Sequence, residues 1–184
     1  MGLTSDQIIK RASQCLKKGQ NKISAEVALG IAFYEKGDID AAIEHYLNAL
    51  VHSPDSAEAH AGLGMSYARK GNHEQSLTHL EKSWQKNPEC SLLANWLADA
   101  WFDAGNLDRA IELYAEALRL NASDNNAQND MADAYRLKGD FATALDLYDR
   151  AIAIDPGDTN AMLEKGQCLV ALKRPEEALA CLTT

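Results

Sequence analysis

Apolar residues recur three and four positions apart through most of the chain, and the pattern restarts at a fixed interval. In its first full copy they stand at Leu29, Ala32 and Phe33, and then, beyond Gly37, at Ile39, Ala42, Ile43, Tyr46, Ala49 and Leu50. Spacing of this kind gathers each set on one face of a helix. The pattern therefore predicts two amphipathic helices joined by a tight turn. Gly37 can take the left-handed backbone that ends the first helix. Asp38 then offers a side-chain oxygen to cap the second, and Pro54 stops it.

The same arrangement returns every 34 residues. Gly37, Gly71, Gly105 and Gly139 mark the beat, followed by capping residues Asp38, Asn72, Asn106 and Asp140. Leu29, Leu63, Leu97 and Met131 share one register, and small residues follow at Gly30, Gly64, Ala98 and Ala132. Phe33, Tyr67, Trp101 and Tyr135 are aromatic. Beyond the turn, Ala42, Ser76, Ala110 and Ala144 are small, and Tyr46, Leu80, Tyr114 and Tyr148 are large. Ala49, Ser83, Ala117 and Ala151 follow, and Pro54, Pro88 and Pro156 close three of the units, with Ala122 in the fourth.

This set of residues resembles the tetratricopeptide repeat (TPR), a helix–turn–helix unit. The resemblance implies an all-α fold, a right-handed α-solenoid of stacked antiparallel helix pairs. One hairpin cannot bury its apolar face alone, whereas stacked neighbours share a continuous core. The expected division is an N-terminal basic helix over 1–22, then repeats over 23–56, 57–90, 91–124 and 125–158, and an incomplete fifth over 159–184. In the fifth, Gly166, Leu169, Ala178 and Leu182 match, Lys165 replaces a leucine, and Lys173-Arg174-Pro175 replaces the glycine turn, so a looser hairpin is expected there.

The N-terminal segment reads as a helix over 5–18, capped by Ser5 or Asp6, with a stripe of Ile8, Ile9, Ala12, Cys15 and Leu16. It lies in phase with the second helix of a missing repeat. Both ends thus read as cuts through a longer array or as open stacking surfaces. One consequence is self-assembly through exposed array ends. Another is that the chain is a targeting or substrate-recruiting segment of a larger enzyme such as a glycosyltransferase.

Charge sharpens the picture. The net formal charge is −9. Residues 1–22 carry Lys10, Arg11, Lys17, Lys18 and Lys22 against Asp6 alone, so the rest of the chain holds all of the acidic excess. An acidic body argues against nucleic acid as the main partner. No apolar run approaches the ~20 residues of a membrane helix, and no apolar leader stands at the N-terminus. A cytoplasmic location is the expectation. Cys15, Cys90, Cys168 and Cys181 fit no metal spacing and read as packing residues. No phosphate loop, zinc-protease motif or nucleophile elbow occurs, so neither catalysis nor a cofactor nor a metal is expected. His45 and His79, one repeat apart, read as exposed polar surface, and His52, His60 and His73 show no partner pattern.

In the TPR family the first helix of each pair lines a concave face where peptides or partner helices bind. Carried onto this sequence, the inward positions are Tyr34 in the first unit, and Met65 and Arg69 in the second. The third offers Asn95, Asp99, Phe102 and Asp103, the fourth Asn126, Asn129, Asp133 and Arg136, and the fifth Asn160 and Gln167. Amides suit the backbone of an extended ligand, and the aspartates favour Lys or Arg on it. The basic clamp by which co-chaperone TPR domains hold a terminal carboxylate is missing: its positions hold Val27, Ile31, Ala61 and Gly62, with Leu92 and Trp96 where the cations belong. Asn95 and Asn129 only approach the asparagine ladder of the arrays attached to O-GlcNAc transferases. The expectation is a non-enzymatic scaffold that binds a basic peptide or helix in the groove.

Overall fold

The structure is a computed structural model that describes residues 2–181. Leu182 and the last positions of the expected fifth repeat lie outside the described residues. Among those described there are eleven helices and no strand: α1 (Ser5–Lys17), α2 (Lys22–Glu35), α3 (Ile39–His52), α4 (Ala57–Arg69), α5 (His73–Lys86), α6 (Ser91–Asp103), α7 (Leu107–Leu120), α8 (Asn125–Leu137), α9 (Phe141–Ile154), α10 (Thr159–Ala171) and α11 (Pro175–Cys181).

The helices fall into two compact units, residues 1–88 and 89–184. In the first, α1 packs on α2, α2 on α3, α3 on α4 and α4 on α5, and α2 also touches α4. In the second, each helix from α6 to α11 packs on the next, and α8 touches both α6 and α10. Neighbours in sequence are thus neighbours in space, and alternate helices line up side by side. Within each unit this is the stacked-hairpin arrangement of an α-solenoid.

The turns follow from the sequence. Gly37, Gly71, Gly105 and Gly139 have φ of 82°, 71°, 80° and 82°. Side chains of Asp38, Asn72, Asn106 and Asp140 accept from the backbone N–H three residues on, each at 3.2 Å. Lys173, which stands where the next glycine would, adopts the same left-handed backbone at φ 60°. The first helix is capped differently from expectation. The Thr4 hydroxyl accepts from Gln7 N–H, and Gln7 Oε1 accepts from Thr4 N–H, a reciprocal box that satisfies two end groups at once. Ser5 and Asp6 therefore lie inside the first turn, free to bond Glu35 at 2.8 Å and Lys36 at 2.6 Å.

The core repeats with the helices. In the first unit Ala12, Ala25 and Leu29 form one cluster, with Ile9, Cys15, Leu16 and Phe33 packed on it. Ala42, Tyr46 and Leu63 form the next. The small residues Gly30 and Gly62 explain how the Tyr46 ring fits. A Cβ would stand 2.5 Å from a ring carbon at Gly30 and 2.2 Å at Gly62. Gly30 is therefore small to admit the tyrosine ring of the partner helix α3. In the second unit Ala132, Ala144, Leu145, Leu147, Tyr148, Ala151, Ala161, Cys168, Leu169 and Ala178 make one cluster. Cys168 is buried, and Cys15, Cys90 and Cys181 are half-buried.

A set of surface ion pairs joins each turn to the preceding helix pair. Lys36 meets Asp6 and Lys70 meets Asp40 at 2.6 and 2.5 Å, and Lys138 meets Asp108. Each pair spans 30 residues, one repeat less one turn.

Candidate functional site: an acidic hollow between α6 and α8

The first-of-pair helices α6 and α8 lie against each other, and their facing residues are acidic. Asp99, Phe102 and Asp103 project from α6, Asp130 and Asp133 from α8, and Tyr114 from α7, around a hollow of about 330 Å³. The 3.6-residue turn puts Asp99 and Asp103 on one helix face, and Asp130 and Asp133 likewise. The Tyr114 hydroxyl donates to Asp99 Oδ1 at 2.8 Å. One repeat on, the Tyr148 hydroxyl donates to Asp133 Oδ1 at 2.7 Å. The same register holds Ile31 and Met65 in the first unit and Gln167 in α10 in place of the aspartates.

Burial, reinforced by neighbouring carboxyls, sets the electrostatics. Burial pushes the Asp99 carboxyl up to about 6; the Tyr114 bond pulls it back, and the charges of Asp103 and Asp124 push it further up. Asp130 is pushed up to about 7, first by burial, then by the charges of Asp99 and Asp133. The Asn95 amide, within hydrogen-bonding reach of Asp130, opposes that rise. Among the described residues no basic side chain forms an ion pair with Asp99, Asp103 or Asp130. Asp133 shares the Arg136 guanidinium at 3.0 Å.

The positions expected to line a groove fare differently. Asp99, Phe102, Asp103 and Asp133 come together at the hollow. Asn95 is buried, 7% exposed, with its Oδ1 unpaired. Arg136 bonds the Tyr148 hydroxyl at 3.4 Å as well as Asp133, and its Nε lies 3.2 Å from Glu164 Oε2 at an angle too poor for a hydrogen bond. Asn129 Nδ2 donates to Asp158 Oδ2 at 2.5 Å, which ties α8 to the N-cap of α10. Asn126 and Asn160 are exposed, and Gln167 Nε2 donates to Glu164 Oε1 at 3.2 Å. In the first unit Met65 is half-buried, and the Arg69 guanidinium lies over the Tyr34 ring, 4.6 Å from its centre.

Asp130 and Tyr114 are the members that sequence reasoning missed. Asp130 follows Asn129 and precedes Asp133 by three, a helical spacing that was available. Its repeat equivalents are Trp96 and Glu164, so no repeated residue type marked it. Tyr114 stands at the large, repeated register of the second helices, yet its hydroxyl reaches the hollow.

Two histidine readings are overturned. His45 Nδ1 lies 2.7 Å from Glu26 Oε2, and His79 Nδ1 lies 2.8 Å from His60 Nδ1. These are within-pair polar contacts at one register, 19 residues apart, and not exposed surface. His60 Nε2 lies 3.1 Å from the Pro54 carbonyl, so it donates there. His60 Nδ1 is then an acceptor and His79 Nδ1 the donor. Burial lowers the pKa of both, that of His79 to about 4.

Larger hollows open elsewhere in the second unit. One of about 620 Å³ lies among α9, α10 and α11, where the charges are already paired, Lys165 with Asp149 and Arg174 with Glu177. Another of about 580 Å³ between α7 and α9 is mainly apolar. Unpaired charge distinguishes the smaller hollow. Among the described residues no group of three or more His, Cys, Asp or Glu has the arrangement to hold a metal ion, and no helix is long and apolar enough to cross a membrane.

Models of TPR families match along the chain. One described as TPR repeat matches residues 30–71. Two described as tetratricopeptide repeat match 74–125 with 97–159, and 135–184. The chain belongs to the tetratricopeptide repeat family. No match was found among curated proteins. Solved structures with the same fold include MamA, 24% identical with a TM-score of 0.79, covering 87% of each chain. YrrB, a TPR protein with an unusual peptide-binding site, is 20% identical with a TM-score of 0.76, over 92% of this chain and 88% of its own. PilF of Pseudomonas aeruginosa is 19% identical with a TM-score of 0.76, over 96% of this TPR chain and 88% of its own.

Proposed function

We propose that this TPR chain is a protein-interaction scaffold that receives a basic peptide or helix along α6 and α8. One observation carries the reading: four carboxyls surround a single hollow, and three of them have no basic partner among the described residues. Burying like charges together raises the free energy of the empty site. A cation from a partner relieves that repulsion and gains charge-assisted hydrogen bonds. Membership of the TPR family and the fold shared with YrrB, itself described by its peptide-binding site, support the same role.

The test is fluorescence anisotropy with short labelled peptides graded from acidic to basic. Basic peptides bind, affinity falls with added salt because charges are screened over about 8 Å at physiological ionic strength, and Asp99→Asn with Asp133→Asn cuts binding at least about tenfold. Binding that ignores peptide charge, or survives both substitutions unchanged, refutes the assignment.

A second reading is favoured by α1. Its apolar stripe is covered by α2, while Lys10, Arg11, Lys17 and Lys18 remain exposed. These side chains complement the acidic hollow, so a second copy of the chain qualifies as the basic partner. Sedimentation equilibrium of the full chain then shows a concentration-dependent mass that Lys10→Glu with Arg11→Glu reduces to the monomer. A monomeric mass at all concentrations removes this reading and leaves the first in place.

A further inference from the structure

We infer that the hollow between α6 and α8 is a receptor for an arginine side chain, with Phe102 as the platform on which the guanidinium stacks. The inference rests on the basic-partner reading above and names the group that enters.

The chain itself displays the arrangement one unit earlier. Tyr34 occupies the same repeat register as Phe102, 68 residues before it. There the Arg69 guanidinium covers the ring at 4.6 Å from the centroid. In the second unit the register of Arg69 recurs at Asp103 and at Leu137. The aromatic platform is thus retained while the in-chain guanidinium is replaced by an acid and an apolar residue. Arg136 does not substitute for it, being engaged by Asp133, Tyr148 and Glu164.

The acceptors around the platform match a planar, many-donor cation. Tyr114 and Tyr148 each occupy one oxygen, Oδ1, of Asp99 and Asp133, which leaves Oδ2 of each to accept. Asp103 adds a carboxylate at the exposed edge and Asp130 one at the buried side. Asn95, 7% exposed, reaches Asp130 with its amide and leaves its Oδ1 without a donor. Acceptors therefore surround the hollow from α6 and α8, beside a ring face. A guanidinium offers five donors in a plane and stacks on aromatic faces, and it sheds water more readily than an ammonium. A lysine ammonium satisfies the charge but cannot lie flat on the ring while its donors reach the surrounding carboxylates.

The test titrates the full chain with hexa-arginine and hexalysine, peptides of equal charge. Hexa-arginine binds about fivefold more tightly, the scale of one cation–π contact. Phe102→Leu removes that preference while hexalysine affinity stays; Phe102→Tyr preserves it, which separates loss of the ring from damage to the fold. Equal affinity of the wild-type chain for the two peptides, or a preference that survives Phe102→Leu, overturns the arginine assignment and leaves the basic-partner reading standing. Binding of neither peptide overturns both.

Discussion

The Tyr114 hydroxyl donates to Asp99 Oδ1 across 2.8 Å, and this bond joins the core of a helix pair to the acidic hollow. The tyrosine ring is buried, 1% exposed, yet its one polar atom reaches the acidic hollow. Removing that donor leaves Asp99 buried with less to stabilise its charge. Tyr114→Phe is expected to raise the Asp99 carboxyl above about 6, and to cost about 1 kcal/mol of stability. Titration of the Asp99 side-chain carboxyl carbon by NMR measures the shift; an unchanged or lower midpoint would contradict the role given to the bond.

Asp130 makes stability depend on pH in the direction opposite to an ordinary salt-bridged carboxylate. Its folded value, raised from 3.8 to about 7, means the native state binds a proton more tightly than the unfolded chain. Its contribution is fully present below the unfolded value and is lost as pH rises through about 7. Asp130→Asn is therefore expected to stabilise the chain at pH 8 relative to wild type, on the order of 1 kcal/mol, and to give no such gain at pH 4. Urea unfolding at the two pH values decides it.

The histidine pair runs the other way. Folded His79 is lowered from 6.5 to about 4, and His60 is lowered too. The unfolded state binds protons first as pH falls, so this pair's contribution is present above the unfolded value and weakens from about 6.5 toward 4. Facing groups include Lys82 and Lys86, which oppose protonation of His60, and Asp55, which favours it. The next repeat holds Ala94 and Leu113 at these two registers. The double variant His60→Ala with His79→Leu is expected to flatten this part of the pH profile. A slope that persists in denaturant melts between those pH values would disprove the assignment.

Gly62 admits the Tyr46 ring, because a Cβ there would lie 2.2 Å from Cζ. Gly62→Ala gains about 1 kcal/mol of helix propensity and loses more by displacing a packed ring, for which overpacking typically costs about 1–3 kcal/mol. A net fall in Tm is expected. Pairing it with Tyr46→Leu, which copies Leu80, should restore most of the loss in a thermal melt.

Gln128 stands at the register of Glu26 and His60, but its helix partner is Leu147, where the earlier pairs have His45 and His79. Its Nε2 is consequently buried with no acceptor, in a side chain 5% exposed. Gln128→Met keeps the volume and removes the unmet donor, so it should stabilise by about 1 kcal/mol. A lower denaturation midpoint would mean the amide is satisfied after all.

Much of this was legible in the residue pattern. The 34-residue beat of Gly37, Gly71, Gly105 and Gly139 announced both the turns and the paired helices. Asp38, Asn72, Asn106 and Asp140 announced the caps. These features are local, set by backbone geometry within a few residues. Asp99, Phe102, Asp103 and Asp133 were placed on one surface by helical spacing and the family resemblance. Asp130 was not, since its depth depends on how closely α8 lies to α6. The histidine pairs were missed for a related reason: contacts 19 residues apart join the two helices of a hairpin, and their rotation is settled by packing.

The sequence by itself determined that the chain folds as repeated helix pairs, because apolar period, glycine and cap are each satisfied within one hairpin. Only the tertiary structure decided which polar side chains are buried and which charges share a space. Burial and repulsion depend on distances between helices that no single stretch of sequence contains.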